Sequence, residues 1–363
     1  MKLVEYIKKA FINLLKPVTR EYVDKKTKQL ALQNERLAKE LRGIRTELEG
    51  IRNEVNCAEK NVKNRIEDTK RTVVNSRRDI ERKMDEQLDP ALYEHVIREW
   101  FVNSTGEPLD LEDPKGYNAK VQWMKLYDPQ DDLKARLSDK ILVRDFVREK
   151  TSEKYLIPLI KVYDKAEEID FDALPQSFVL KANHGCGFNA IVTDKDSEDL
   201  KKLRYKAGKW LKQNYAFHFG YELHYEKITR KLFAEEYIGN GIDSMTDYKF
   251  WCFDGKVHYI CVIIDRSVQP KMAFYDTDWK RQPFVYAFPE ADRDIPRPER
   301  LGEMIEVAEK LSEGFPHVRV DLYQLEDGSI KFGELTFTSA SGACSWNLPE
   351  TDLMMGELYK LPR

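Results

Sequence analysis

The 363-residue sequence lacks the cysteine pattern of a metal-bound or disulfide-stapled protein. Its five cysteines, Cys57, Cys186, Cys252, Cys261 and Cys344, are odd in number and scattered, with no CxxC pair and no Cys/His cluster. That excludes a disulfide framework or a zinc finger and fits a reducing compartment. No apolar run approaches the ~18 residues that cross a bilayer. Lysines interrupt the apolar opening Met1–Leu15 and no small-residue cleavage site follows. A secretory signal is therefore not expected, and the chain reads as cytoplasmic. A large charge imbalance is also missing: the formal net charge of -3 gives no global reason to expect nucleic acid. Neither a Walker loop nor a dinucleotide fingerprint occurs, and no repeat is visible.

What is present is unevenly distributed. Hydrophobic residues make up 42% of the chain and aromatics 11%, enough for a sizeable core in two domains or three small ones. The 34% of charged residues exceeds the usual quarter and is concentrated near the start. There Leu30, Leu37, Ile44, Ile51 and Ala58 fall seven apart, interleaved with Asn34, Leu41, Leu48, Val55 and Val62. This 3-4 alternation is the seam of a left-handed coiled coil, continued after a stutter by Ile66, Val73 and Ile80. The seam predicts a homo-oligomer, the alternative being one solvated helix packed on its own domain. Asn34 at an a position favours a dimer, whereas Leu at a with Ile at d leans to higher orders, so the number of strands stays open. Ahead of the coil, Leu3, Val4, Ile7, Phe11, Leu14, Leu15 and Val18 form one helical face and Lys2, Lys8, Lys9 and Lys16 the other, with Pro17 expected to end or kink the stripe. Such a helix either lies on an anionic membrane or packs on a neighbour.

Beyond residue 90 the pattern becomes globular, and the expected boundaries are 1–20, 21–90, 91–175 and 176–363. Helices are expected at Ala91–Val102, Ala119–Tyr127 and Lys140–Lys150, then at Asp199–Tyr215 and Arg300–Glu313; Leu159–Pro175 reads as irregular. Strands are expected at Phe178–Ala182, Ala190–Thr193, Leu232–Ile238, Tyr248–Phe253, Lys256–Ile264, Val318–Leu325 and Ile330–Leu335. Without regular βαβ alternation the fold class is α+β.

Three stretches carry chemistry. In Phe178-Val-Leu-Lys181-Ala-Asn-His184-Gly185-Cys186-Gly187, a strand runs into a glycine turn where backbone amides and a lysine can meet a phosphate. Val318-Arg319-Val-Asp321 and Gly333-Glu334-Leu-Thr336 lie on two strands of a hairpin, which sets two carboxylates side by side if both project to one face, either around a cation or as two solvated carboxylates. Phe233-Ala-Glu235-Glu236-Tyr237 offers extended backbone to an adenine edge, with Asp243 shortly after. The order of these stretches resembles the ATP-grasp superfamily. The segment from about Leu109 to Pro362 further resembles the TupA-like ATP-grasp family of surface-polysaccharide gene clusters. The shared residues are Lys120-Val-Gln-Trp-Met-Lys-Leu-Tyr, Asp139-Lys140, Val143-Arg144, Phe178-Val-Leu-Lys-Ala-Asn-His-Gly, Glu235-Glu-Tyr, Asp247-Tyr-Lys-Phe, Tyr275-Asp-Thr-Asp-Trp279, Arg319-Val-Asp and Gly333-Glu-Leu-Thr-Phe.

The resemblance implies an ATP-grasp fold behind the coil and an ATP- and Mg²⁺-dependent carboxylate–amine ligase. Lys140 and Lys181 would hold the α- and β-phosphates under a loop formed by Gly185 to Gly187, with His184 beside it. Glu235, Glu236 and Tyr237 would meet adenine and Asp243 the ribose. Asp321 and Glu334 would hold Mg²⁺, joined by Thr336 where such ligases usually carry Asn. Arg319 would stabilise the oxyanion, and Lys249, Arg266 and Arg281 are charged candidates for the acceptor pocket. The expected substrates are a uronic-acid or amino-acid carboxylate and an amine. Competing readings are a glycosyltransferase using Asp276-Thr-Asp278 as a DxD motif, and a nucleotide-binding scaffold without catalysis.

Overall fold

The computed structural model describes residues 2–239, 246–265 and 269–362. It divides into two compact units, residues 1–81 and 82–363. Helix α1, Lys2–Asp85, begins in the first unit and runs through Pro17 without a break. The seam side chains Leu30, Leu37, Leu41, Ile44, Leu48, Ile51, Val55 and Val62 are exposed, as are Leu3, Val4, Ile7 and Phe11 of the N-terminal stripe. The side chains of Leu14, Leu15, Lys16 and Val18 lie outside the described residues. No helix among the described residues is long and apolar enough to cross a membrane.

The second unit opens with four helices, α2 (Tyr93–Thr105), α3 (Tyr117–Tyr127), α4 (Asp131–Ser138) and α5 (Val143–Lys150). Two antiparallel sheets follow. The smaller has the order β1-β4-β2-β3 and is built from β1 (Leu159–Tyr163), β2 (Phe178–Ala182), β3 (Asn189–Val192) and β4 (Leu232–Glu236). Helix α6 (Leu200–Leu211) covers one face with Leu203, Ala207 and Trp210, against Phe178, Leu180 and Ala182 of β2 and Leu232 and Ala234 of β4. Strand alternation turns Lys181 and Glu235 to the other face.

The larger sheet has the order β10-β9-β5-β6-β7-β8. Its strands are β5 (Asp247–Phe253), β6 (Lys256–Ile264), β7 (Lys271–Tyr275), β8 (Arg281–Gln282), β9 (His317–Gln324) and β10 (Ile330–Thr336). Every residue of β5 is buried because both faces are covered. On one face, Leu301, Met304, Val307, Ala308 and Leu311 of α7 (Leu301–Ser312) pack on Phe250, Cys252, Val318, Val320 and Leu322. On the other, Tyr117, Val121 and Met124 of α3 join Met355 of α8 (Glu350–Leu358) and Tyr359 over Trp251, Phe253 and Phe274. Asp254 and Gly255, both at positive φ, close the β5–β6 hairpin.

Several elements depart from the sequence reading. Strand β1 lies within the stretch read as irregular and pairs with β4. Helices α4 and α8 and strands β7 and β8 add to the expected set. Helix α5 starts at Val143 rather than Lys140, because Asp139 turns its carboxylate onto the amides of Ile141 and Leu142 and stops the preceding chain.

Helices α3 and α8 approach closely: a Cβ on Gly356 would stand 2.0 Å from the Lys115 carbonyl oxygen. Gly356→Ala is therefore expected to cost about 1–3 kcal/mol, the usual penalty of overpacking. Urea unfolding checks this, and an unchanged midpoint would contradict the close approach.

Candidate active site

The site is assembled by strand register. On β9, Arg319 and Asp321 are two apart and share a face. Across the β5–β9 pair Asp321 stands opposite Lys249; across β9–β10 it stands opposite Glu334, and Arg319 opposite Thr336. A register shift between Phe332 and Glu334 makes that alignment. It falls at Gly333, where a Cβ would come within 3.0 Å of the Tyr323 ring and 3.2 Å of the Asp321 carbonyl oxygen.

These residues form one charge network. Arg319 donates through Nε to Asp321 Oδ1 at 2.6 Å and through Nη2 to Oδ2 at 2.8 Å, a fork on a carboxylate. Lys249 donates to the same Asp321 and pairs with Asp247 at 2.8 Å. The remaining reach of Arg319 Nη2 goes to the Thr336 hydroxyl at 3.0 Å and to Glu334 Oε1 at 3.4 Å. Thr336 donates to Glu334 Oε1 at 3.2 Å, and Lys140 Nζ lies 3.3 Å from Glu334 Oε2. Asp321, Lys249 and Arg319 are buried, whereas the Glu334 side chain is 29% exposed. Burial alone would raise the Glu334 pKa, but Lys140, Arg319 and Lys249 outweigh it and hold the carboxyl at about 2. Burial likewise disfavours the charge on Arg319, yet Asp321 beside it raises its pKa well above the ordinary value.

Lys140 is placed by its neighbours. Its backbone amide donates to the Asn183 carbonyl at 3.0 Å and its Nζ to the Gly185 carbonyl at 2.7 Å. Asn183 in turn donates to Asp139 Oδ2 at 2.7 Å, so the glycine turn and the start of α5 are tied together. Gly185 and Gly187 both have positive φ, and a Cβ at Gly185 would strike the Tyr215 ring at 2.1 Å, while Gly187 faces open space. Lys181 is paired with Glu235 across the small sheet. Glu236 is exposed at the end of β4, its amide donating to the Pro158 carbonyl, and Tyr237 follows it.

The structure reassigns several expected residues. His184 is buried, with Nε2 3.2 Å from both the Trp210 and Gln213 carbonyls, and burial lowers its pKa to about 4. It anchors the turn to α6. Lys249 is buried between Asp247 and Asp321 and fixes the latter. Glu235 is buried, its carboxylate paired with Lys181. Arg281 is occupied by Glu290 at 3.0 Å and Asp294 at 3.3 Å. Asp276 Oδ1 accepts from the amides of Asp278 and Lys280 and caps a turn. Asp243 and Arg266 lie outside the described residues.

A second network went unread in the sequence. Residues Ala340, Ser341 and Gly342, which follow β10, all have positive φ, a costly conformation for the first two. Gln122 and Lys125 of α3 hold that turn: Gln122 Nε2 donates to the Ser341 and Gly342 carbonyls at 3.0 and 2.9 Å, and Lys125 Nζ donates to the Ser341 carbonyl at 2.6 Å. Buried Glu222 accepts from the Thr338 hydroxyl of the same segment. Burial pushes Glu222 up to about 7 and Lys125 down to about 7. In sequence, Gln122 and Lys125 stand three apart on an apolar helix within the stretch shared with the family, and no role was assigned to them.

Among the described residues no group of three or more His, Cys, Asp or Glu could hold a metal ion. The oxygen donors at the site are Glu334, Asp321 and Thr336, a hard set suited to Mg²⁺, which keeps several waters of its own. Three donors already contact Asp321, leaving about one lone pair free, whereas Glu334 is more open. The residues fit such an ion with Glu334 as its main anionic ligand.

Two sheets carrying lysines, a glycine turn and a carboxylate hairpin define an ATP-grasp protein. A model of the TupA-like ATP-grasp family matches residues 119–360, and the chain belongs to that family, within the ATP-grasp ligase superfamily. No protein of curated function matches the chain. Solved structures similar to it include D-alanine–D-alanine ligase from Bacillus anthracis, at 17% identity and a TM-score of 0.37 over 68% of this chain and 70% of that one. D-alanyl-alanine synthetase A from Vibrio cholerae matches at 12% identity and 0.37, over 61% and 62%. The ATP-grasp ligase PsnB, solved with a precursor variant, Mg and ADP, matches at 12% identity and 0.36, over 66% and 64%.

The depressed Glu334 carboxyl has a defined consequence for acid stability. A carboxylate whose folded pKa is lowered contributes stability above its usual value of 4.5 and loses it as pH falls through about 2. Glu334→Gln should therefore flatten the fall in stability between pH 4.5 and 2 relative to the unmodified chain. Thermal melts across that window check it, and parallel curves would show that Glu334 is not held by its cationic neighbours.

Proposed function

We propose that the chain is an ATP- and Mg²⁺-dependent carboxylate–amine ligase that works in the cytoplasm. The observation carrying this reading is the convergence of Lys140 and Arg319 on Glu334, register-paired with Asp321, beside a glycine turn. Lys140 and Lys181 would bind the phosphates, the latter by releasing Glu235. Backbone near Glu236 and Tyr237 would receive adenine, and Asp243 the ribose. Mg²⁺ held by Glu334, Asp321 and Thr336 would offset charge between the β- and γ-phosphates. A substrate carboxylate oxygen attacks the γ-phosphorus, the bond to the bridging oxygen breaks and ADP leaves. An amine then attacks the acyl carbon, phosphate departs, and the amine gives up a proton to leave an amide. Arg319 would stabilise the oxyanion of that second step; its fixed fork on Asp321 keeps it in place without reorganisation. Arg266, outside the described residues, remains the candidate for acceptor charge.

The family resemblance favours a uronic-acid or amino-acid carboxylate of a surface polysaccharide as substrate. Incubation with ATP, Mg²⁺ and a panel of sugar acids and amines, read by mass spectrometry, tests this; ADP release without any amide product would reject it. The match to an ATP-grasp family over residues 119–360, which includes Asp276 and Asp278, favours the ligase over the DxD reading. A scaffold without catalysis has no use for Lys140, Arg319, Asp321 and Glu334 in one network. The exposed seam of α1 supports self-association of the chain, and the exposed apolar stripe with Lys2, Lys8 and Lys9 supports placement at an anionic membrane. Flotation with anionic vesicles at low and high salt tests the latter: no binding at low salt would reject it.

Two substitutions test the site. Lys181→Ala removes a charge-assisted phosphate contact of about 1.5–3 kcal/mol, so ADP affinity should fall about 10-fold or more by calorimetry. Unchanged affinity would place the phosphates elsewhere. Glu334→Gln should abolish ATP turnover while the far-ultraviolet spectrum is kept, and persisting turnover would move the metal away from this hairpin.

A further inference from the structure

We infer that copies of this chain associate through α1 in a parallel, in-register coil; this rests on the self-association proposed above and names its orientation. With Leu30, Leu37, Ile44, Ile51 and Ala58 at d, the a positions are Asn34, Leu41, Leu48, Val55 and Val62. The flanking g positions are then Gln33, Glu40, Glu47, Glu54 and Asn61, and the e positions Ala31, Ala38, Arg45, Arg52 and Glu59. In a parallel coil each g residue meets the e residue of the next heptad on its neighbour. Glu40 then faces Arg45 and Glu47 faces Arg52, twice each by symmetry; only Glu54 against Glu59 is unfavourable. An antiparallel coil brings g against g and e against e, so glutamates would face glutamates and arginines would face arginines.

Asn34 points the same way by a separate argument. Parallel register stacks it against its own copy, where two amides can bond to each other, whereas an antiparallel arrangement sets it among apolar d side chains. The charged residues concerned are available. Glu40 pairs with Arg36 along the helix at 3.3 Å and Arg45 with Glu49 at 3.4 Å, but all four side chains are more than half exposed and can exchange partners.

The test uses the full chain and a fourfold exchange, Glu40→Arg, Arg45→Glu, Glu47→Arg and Arg52→Glu. In a parallel coil the exchanged chain is complementary to itself and clashes with the unmodified one. Mixed, allowed to exchange and read by native mass spectrometry with a mass tag on one form, the two should sort, with mixed particles several-fold below their statistical share. Mixed particles at or above that share overturn the orientation while self-association stands. Single chains for both forms overturn self-association and the inference with it. A second readout does not depend on the exchange: Leu30→Cys in a Cys57→Ser, Cys186→Ser background. In a parallel coil mild oxidation should link Cys at position 30 to its own copy within the particle, and particles that remain unlinked overturn the inference. In an antiparallel coil centred on the seam those thiols would sit roughly 45 Å apart.

Discussion

The fork of Arg319 on Asp321, buried within the larger sheet, is the interaction on which the rest of the site depends. Two opposite charges removed from water stay charged only when each is fully partnered, and breaking such a pair typically costs several kcal/mol. Here Lys249 completes the shell of Asp321, and Thr336, Glu334 and the Ser339 hydroxyl complete that of Arg319. The arrangement therefore admits little rotation, and it fixes the positive edge that faces Glu334. Because β5, β9 and β10 align these residues, strand register carries the electrostatics. A slip by one residue would turn the whole set to the opposite face, against the apolar side chains of α7.

A second constraint lies in the turn after β10. Ala340 and Ser341 take a left-handed conformation that they would not choose alone, and the buried amide of Gln122 and amine of Lys125 hold them there. Helix α3 thus does two tasks: its apolar face closes the sheet core, and its polar end shapes the segment that leaves the carboxylate hairpin. Glu222, by accepting from Thr338, ties the same segment to the chain that precedes β4. Such coupling explains why the region before the two sheets belongs to one unit with them.

Most of the fold's logic was legible where residue type and spacing agree. Alternating apolar residues marked β2, β4, β5, β6, β9 and β10, and the seven-residue spacing marked α1. Asp321, Glu334, Thr336 and Arg319 converge in one network because a hairpin of two alternating strands leaves few other options, and Lys140 reaches it from the start of α5. What sequence could not give were partners set by tertiary packing. Lys181 reads as a phosphate ligand but rests on Glu235; Lys249 reads as an acceptor cation but is buried under Asp321; His184 sits beside a glycine turn yet points to backbone carbonyls of α6 and the residues after it. Strand β1 was hidden because its burial alternates irregularly around a bulge in its pairing with β4. Lys125 lies within a stretch shared with the family and Glu222 in none, yet the roles of both arise from residues far along the chain.

The proposed activity begins with transfer of the γ-phosphoryl group of ATP onto a carboxylate at this network. Positional isotope exchange measures that step directly. With ATP carrying oxygen-18 in the β–γ bridge and a substrate carboxylate but no amine, reversible acyl-phosphate formation should carry label from the bridge to the non-bridging β positions. The exchange should vanish without the carboxylate. If ADP forms while the bridge label stays in place under conditions where ADP remains bound and free to rotate, no reversible phosphoryl transfer occurs, and the account of this site as a carboxylate-activating centre fails.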